Sequence, residues 1–116
     1  YRTLPQQHSF NKPYQLGSNS ADDPSESKNF LFYLKERDIV VMASDGMFDN
    51  MFDGDVIQVI ESSDFSANEP SGFDLAKELA KYALEMSKSE RRVSPFELAF
   101  NRNLEREKGK KWWSEK

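Results

Sequence analysis

The run Ile39-Val40-Val41-Met42-Ala43 constrains the fold most. Five consecutive apolar residues between polar neighbours suit a strand covered on both faces. Phe30 to Leu34 reads as a second strand, joined to Asp38 to Ala43 by the polar turn Lys35-Glu36-Arg37. Elsewhere the chain has little to bury. Leu, Ile, Val and Phe make up 22% of its 116 residues, just above the roughly 20% below which a charged chain stays disordered. That supports one small core, in one domain or part of one.

Several function classes fall away. No apolar run approaches the ~20 residues needed to span a bilayer as a helix. Sixteen Lys and Arg against 20 Asp and Glu give a net charge of −4, which argues against nucleic acid as the main partner, because phosphate binding relies on clustered positive charge. With no Cys there is no disulfide framework, zinc ribbon or thiol nucleophile. The chain opens at Tyr1 with neither initiator Met nor signal peptide, so a piece of a longer protein is expected.

Along the chain, Phe10, Tyr14 and Leu16 are spaced by even numbers, as in an extended segment with one buried face. Pro5 and Pro13 limit its pairing to an edge or a bulge. Residues 17–28 are polar and read as an exposed, mobile loop, with Asp22, Asp23 and Glu26 solvated. Asp53 can cap a helix carrying Val56, Ile57, Val59 and Ile60. Ser71-Gly72-Phe73-Asp74 has the form of a capping box, and Leu75, Leu79, Tyr82, Ala83 and Met86 follow at helical spacing, which predicts a helix over 73–88. Pro95 permits a short helix starting at Ser94, and residues 104–116 read as an unfinished loop. The expected result is two or three strands with exposed edges and two principal helices.

Chemistry concentrates after the apolar run, at Ser44-Asp45-Gly46-Met47-Phe48-Asp49-Asn50-Met51. A carboxylate at the end of a buried strand is held still, and a glycine beside it lets a ligand approach closely. Hard cations such as Mg²⁺ or Mn²⁺ take such oxygen ligands. Asp-Gly alone, however, is more often only a turn.

The longer run is more specific. Asp38 to Met51 resembles the S-D-G-[LIVM]-[WF]-D signature of the metal-dependent serine/threonine protein phosphatases, the protein phosphatase 2C family. Its mitochondrial-type subgroup has a D-G-L-F-D-N-M run similar to Asp45 to Met51. Phe10 to Leu16 is similar to that subgroup's F-N-x-P-[FY]-Q-L, and Ser94-Pro95-Phe96 to its S-P-F.

The resemblance implies an α+β fold: part of a four-layer α/β/β/α sandwich with antiparallel sheets, its N-terminal and C-terminal parts lying outside this chain. It implies two catalytic Mg²⁺ or Mn²⁺ ions, with Asp45 a ligand of one and Asp49 a supporting ligand at an accessory position. Ser44 and Gly46 are site support. In that chemistry paired cations lower the pKa of a water that attacks phosphorus in line, so no side-chain nucleophile is required and no catalytic side chain is assigned here. The implied substrate is a phosphoserine or phosphothreonine protein, and the subgroup implies a mitochondrial location. The family's R-x-x-x-E-D and F-D-G-H-G-G segments have no counterpart in the chain, and its D-[DN]-[IV]-T motif is expected beyond Lys116. The chain by itself should therefore be inactive.

Rival readings are weaker. Asp49-x-x-x-Asp53-Gly54 imitates an EF-hand loop, but its twelfth position is Ile60 rather than the bidentate Glu. A non-catalytic pseudo-phosphatase or protein-binding module shares every feature seen here. His8 reads as a surface or strand-edge histidine rather than an acid catalyst. Asp53, Asp55 and Glu61 read as charges favoured by a helix dipole. Met47, Phe48, Met51 and Phe52 read as core packing beside the site, and Trp112-Trp113 as an apolar pair that missing strands would cover.

Overall fold

The computed structural model describes residues 1–63 and 72–114, with residues 110–114 described by backbone alone. The chain divides into two compact units, Tyr1–Val40 and Val41–Lys116. Its architecture is mixed helix and small antiparallel sheet.

In the first unit, β1 (Gln7–Ser9) pairs antiparallel with β2 (Lys12–Pro13), with Gln7 opposite Pro13 and Ser9 opposite Lys12. The extended segment expected over residues 1–16 therefore folds back on itself. Asn11 makes the reversal at φ 55°, a left-handed conformation that asparagine tolerates better than most residues. The expected buried face is absent, with Tyr14 and Leu16 exposed. Pro13 sits at a two-residue edge with a register irregularity opposite it, as its missing N–H requires.

Residues 17–28 form a loop tied to itself and to the hairpin. Asp23 caps a single 3-10 turn, Pro24–Glu26, in a reciprocal capping box with Glu26. Asp22 Oδ2 accepts the Gln15 N–H at 2.7 Å, and His8 Nε2 lies 2.7 Å from Asp22 Oδ1. The Gln15 N–H first, helped by the His8 ring, holds the Asp22 carboxyl below its ordinary value against the opposing effect of burial. These acids are not simply solvated. His8 is the strand-edge histidine expected.

The two strands expected at Phe30 to Leu34 and Asp38 to Ala43 do not form. The turn between them does: the Asp38 N–H donates to the Lys35 carbonyl at 3.1 Å, the Asp38 carboxylate accepts the Lys35 N–H, and Arg37 takes φ 73°. Apolar content sets what a segment can bury, but a strand also needs a partner backbone for its N–H and C=O groups. Val40 and Met42 are instead 69% and 95% exposed.

The second unit is helical. It contains α1 (Asp45–Phe48), α2 (Asp53–Ser62), α3 (Gly72–Ser87) and α4 (Pro95–Ser114). On α3, Leu75, Leu79 and Ala83 are buried at successive i, i+4 positions, so they line one face. Both α1 and α2 pack on α3. Met47 and Met51 join Val59 and the α3 residues in the core, with Val41, Phe48, Val56, Ile60 and Tyr82 around them. The reading of Met47 and Met51 as core is borne out; Phe48 packs half-buried against that core, and Phe52 is half-buried outside it.

Helix ends differ from expectation in detail. The residue before α2 is Phe52, and Asp53 is its first helical residue rather than its cap. Asp55 does the capping: its Oδ2 accepts the Phe52 N–H at 2.7 Å, satisfying one of the donors a helix start leaves open. Ser71 lies outside the described residues, so its capping box is not described. Ser94 begins α4 as expected, its Oγ accepting the Glu97 N–H at 3.1 Å. The helix then continues to Ser114 instead of ending in a loop near Asn103. Leu104, Glu105, Arg106, Glu107 and Lys108 are good helix formers, and a single Gly109 costs only ~1 kcal/mol. The principal helices are thus α2, α3 and α4. The side chains of Trp112 and Trp113 lie outside the described residues.

The core makes a direct prediction. Leu79→Ala should lower unfolding free energy by about 2–5 kcal/mol, whereas Leu84→Ala, at an exposed position of the same helix, should change it by under about 0.5 kcal/mol; urea titrations of the two variants check this.

Candidate metal site

Asp45 opens α1, with Ser44 extended before it as the N-cap residue. Of the apolar run meant to hold it, only Val41 packs against the core and the rest is exposed, so most of its anchoring comes from downstream. The Asp49 N–H donates to the Asp45 carbonyl at 2.7 Å, the Met51 N–H to the Met47 carbonyl at 2.9 Å, and the Asn50 side-chain amide to the Gly46 carbonyl at 2.9 Å. Met47, within this single turn, is buried, and Met51, four residues after Met47, is fully buried. A one-turn helix is not stable by itself. Side chains inserted into the core replace the stability it lacks.

Asp45 and Asp49 stand four residues apart, a spacing that places Cβ atoms about 5–6 Å from each other on one helix face. Asp45 is exposed, Asp49 half-buried. One Asp45 oxygen accepts the Gly46 N–H at 2.8 Å. Gly46 has no positive φ, and a Cβ there would meet only Ser44 Oγ at 3.5 Å. The space above this glycine is open to an approaching ligand, while the backbone itself does not demand glycine.

Two carboxylates with hard oxygens fit part of the donor set of a divalent cation. They do not complete it, since among the described residues no three Asp, Glu or His side chains converge on a common point. Asp53 and Gly54 lie in the first turn of α2, so a calcium-binding loop over 49–60 is not formed.

Sequence reasoning missed the charged pair beside this segment. Arg92, between α3 and α4, forms an ion pair with Asp55 through Nη2 and Oδ2. Its other terminal nitrogen reaches Met86 Sδ at 2.8 Å and Tyr82 Oη at 3.5 Å, and its guanidinium stands 5.5 Å from the centre of the Phe52 ring. The Asp55 side chain is only 12% exposed. Burial opposes its ionisation, but the Arg92 and Phe52 hydrogen bonds outweigh that and hold its carboxyl below the ordinary value. Asp55 is therefore more than a helix-dipole charge. The only signals in the sequence were an acid in a helix's first turn and an arginine 37 residues later.

Relatives of known family match most of the chain. The chain is 37% identical over 95 residues to probable protein phosphatase 2C 80 of Arabidopsis thaliana, covering 81% of the chain and 22% of that protein. It is 33% identical over 104 residues to the protein phosphatase PTC7 homolog of Danio rerio, covering 83% of the chain and 35% of that protein. The Homo sapiens PTC7 homolog is 32% identical over the same length. The chain belongs to the protein phosphatase 2C family. It spans about a third or less of the length of these phosphatase 2C relatives. No family model matches the chain, and no solved structure matches it.

The ion pair has a pH signature. A carboxyl held below its unfolded value stabilises the fold above that value, and the contribution is lost as pH falls through the lower, folded value. Asp55→Ala should be less stable than the wild type by about 1.5–3 kcal/mol at pH 7, and the gap should narrow below about pH 4. Urea titrations across that range measure it.

Proposed function

We propose that this chain is the middle and late part of the catalytic domain of a metal-dependent protein serine/threonine phosphatase. The observation that carries the reading is the Ser44 to Met51 segment: two carboxylates four residues apart, held by Met47 and Met51 in the core, in a chain related to phosphatase 2C proteins over most of its length. In the complete domain, Phe30 to Leu34 and Asp38 to Ala43 pair as strands of a four-layer sandwich with antiparallel sheets. That pairing would cover the apolar side chains that are exposed here.

Asp45 would bind one of two Mg²⁺ or Mn²⁺ ions and Asp49 an accessory ion. Bound divalent cations supply a water of lowered pKa and offset negative charge on a transferring phosphoryl group. Asp45 contributes anionic oxygen to their charge balance, and open space above Gly46 lets the substrate's phosphate approach. Met47 and Met51 hold both carboxylates in fixed relation, so that little reorganisation accompanies binding. The remaining ligands would come from outside this chain, since Asp45 and Asp49 alone leave most of a dication's coordination unfilled. The substrate is a phosphoserine or phosphothreonine protein, and the similarity to the mitochondrial-type subgroup favours a mitochondrial setting.

Turnover of a phosphothreonine peptide by the full-length protein, with and without Mn²⁺, tests this reading. Metal-dependent hydrolysis should fall by at least about 100-fold in Asp45→Ala, since losing a direct ligand costs no less than the top of the range for the outer partners of metal ligands, and should be absent from residues 1–116 alone. No turnover from a folded, metal-loaded full-length protein would leave a non-catalytic binding module as the better account.

A further inference from the structure

The segment between α3 and α4 is fastened to the carboxylate segment at two points. At one, Arg92 pairs with Asp55 Oδ2, and that same oxygen accepts the N–H of Phe52, the residue after buried Met51. At the other, the Phe96 N–H donates to the carbonyl of Asp49 at 3.2 Å. Residues 92–96 thus bridge the stretch from Asp49 to Asp55. Ser94 fixes the middle of the bridge by capping α4.

We propose that Arg92 is a positioning residue for the metal site, acting through Asp55 and the 92–96 bridge on the backbone that carries Asp49. This rests on the assignment of Asp45 and Asp49 as metal ligands. The physical ground is the number of elements that meet at one side chain. Arg92 touches α2 through Asp55, α3 through Tyr82 and Met86, and the α1–α2 connection through Phe52. A planar guanidinium with five donors can satisfy such partners at once, which an ammonium cannot. Removing it leaves Asp55 charged and only partly partnered, and frees the bridge whose other end holds the Asp49 carbonyl. The carboxylates then sample more positions, and ordering them again on metal binding weakens affinity.

Titration of the metal-stripped full-length protein with Mn²⁺ by calorimetry tests the proposal, at a temperature where circular dichroism shows each variant folded. Arg92→Ala should bind Mn²⁺ about tenfold more weakly, the low end of what outer partners of metal ligands contribute. Asp55→Asn should show a similar loss, and the double variant should be no worse than either alone, because both act through one contact. Arg92→Lys should recover part of the affinity, and Arg91→Ala, at an exposed neighbour, should match the wild type. If Arg92→Ala does not fold, Arg92→Lys and Asp55→Asn carry the comparison. Unchanged Mn²⁺ affinity in these folded variants, with only a lower melting temperature, would make Arg92 a stability residue and overturn the proposal. In that case weaker binding by Asp45→Ala would leave the ligand assignment standing. Mn²⁺ binding unaffected by Asp45→Ala would overturn both.

Discussion

Burial of Met51 is the interaction on which the helical unit depends. It is the one large side chain fully buried among the described residues, and it lies between a single helical turn and the start of α2. Neither neighbour could hold itself in place: α1 is one turn long, and α2 has ten residues, below the length at which helices persist alone in water. By entering the core beside Met47, Val59 and Leu79, Met51 fixes where α1 ends and α2 begins. An unbranched thioether suits that place because it adapts to an irregular space between three helices. The carboxylates of Asp45 and Asp49 inherit their position from this packing, to which the apolar run before them contributes only Val41.

Electrostatics then closes what packing leaves open. Arg92 and Asp55 are partly withdrawn from water, where an ion pair is screened less than on the surface. Burying a charge is tolerable when its hydrogen-bonding capacity is used. Asp55 uses its own on Arg92 and on the helix start at Phe52. Arg92 adds a sulfur, a phenol oxygen and the face of an aromatic ring. The pair joins segments 37 residues apart in sequence, and so constrains the tertiary arrangement as well as adding to stability.

The sequence made some of this legible. Leu75, Leu79 and Ala83 recur at a helical period, and that regularity located α3 almost to its ends. Met47 and Met51 were readable as core because apolar residues beside a carboxylate-rich turn have few other roles. Asp45 and Asp49 stood out only as part of a longer run with a family resemblance. The strands did not follow from apolarity, because pairing is a property of two backbones and not of one segment. The length of α4 is not legible from charge density, because charged residues occur in loops and several of those beyond Asn103 are also good helix formers. The Arg92–Asp55 pair was invisible because no local pattern links an acid to a base so far along the chain.

Membership of the protein phosphatase 2C family is what turns these local facts into the proposal that the carboxylate pair beside the two buried methionines serves a metal centre completed by other parts of the protein. Coordination itself is the most direct test of that claim. A crystal structure of the full-length protein with Mn²⁺ should place an Asp45 carboxylate oxygen about 2.0–2.3 Å from an ion, the range for hard divalent cations and oxygen. An occupied metal centre with the Asp45 carboxylate turned away from every ion would contradict the account.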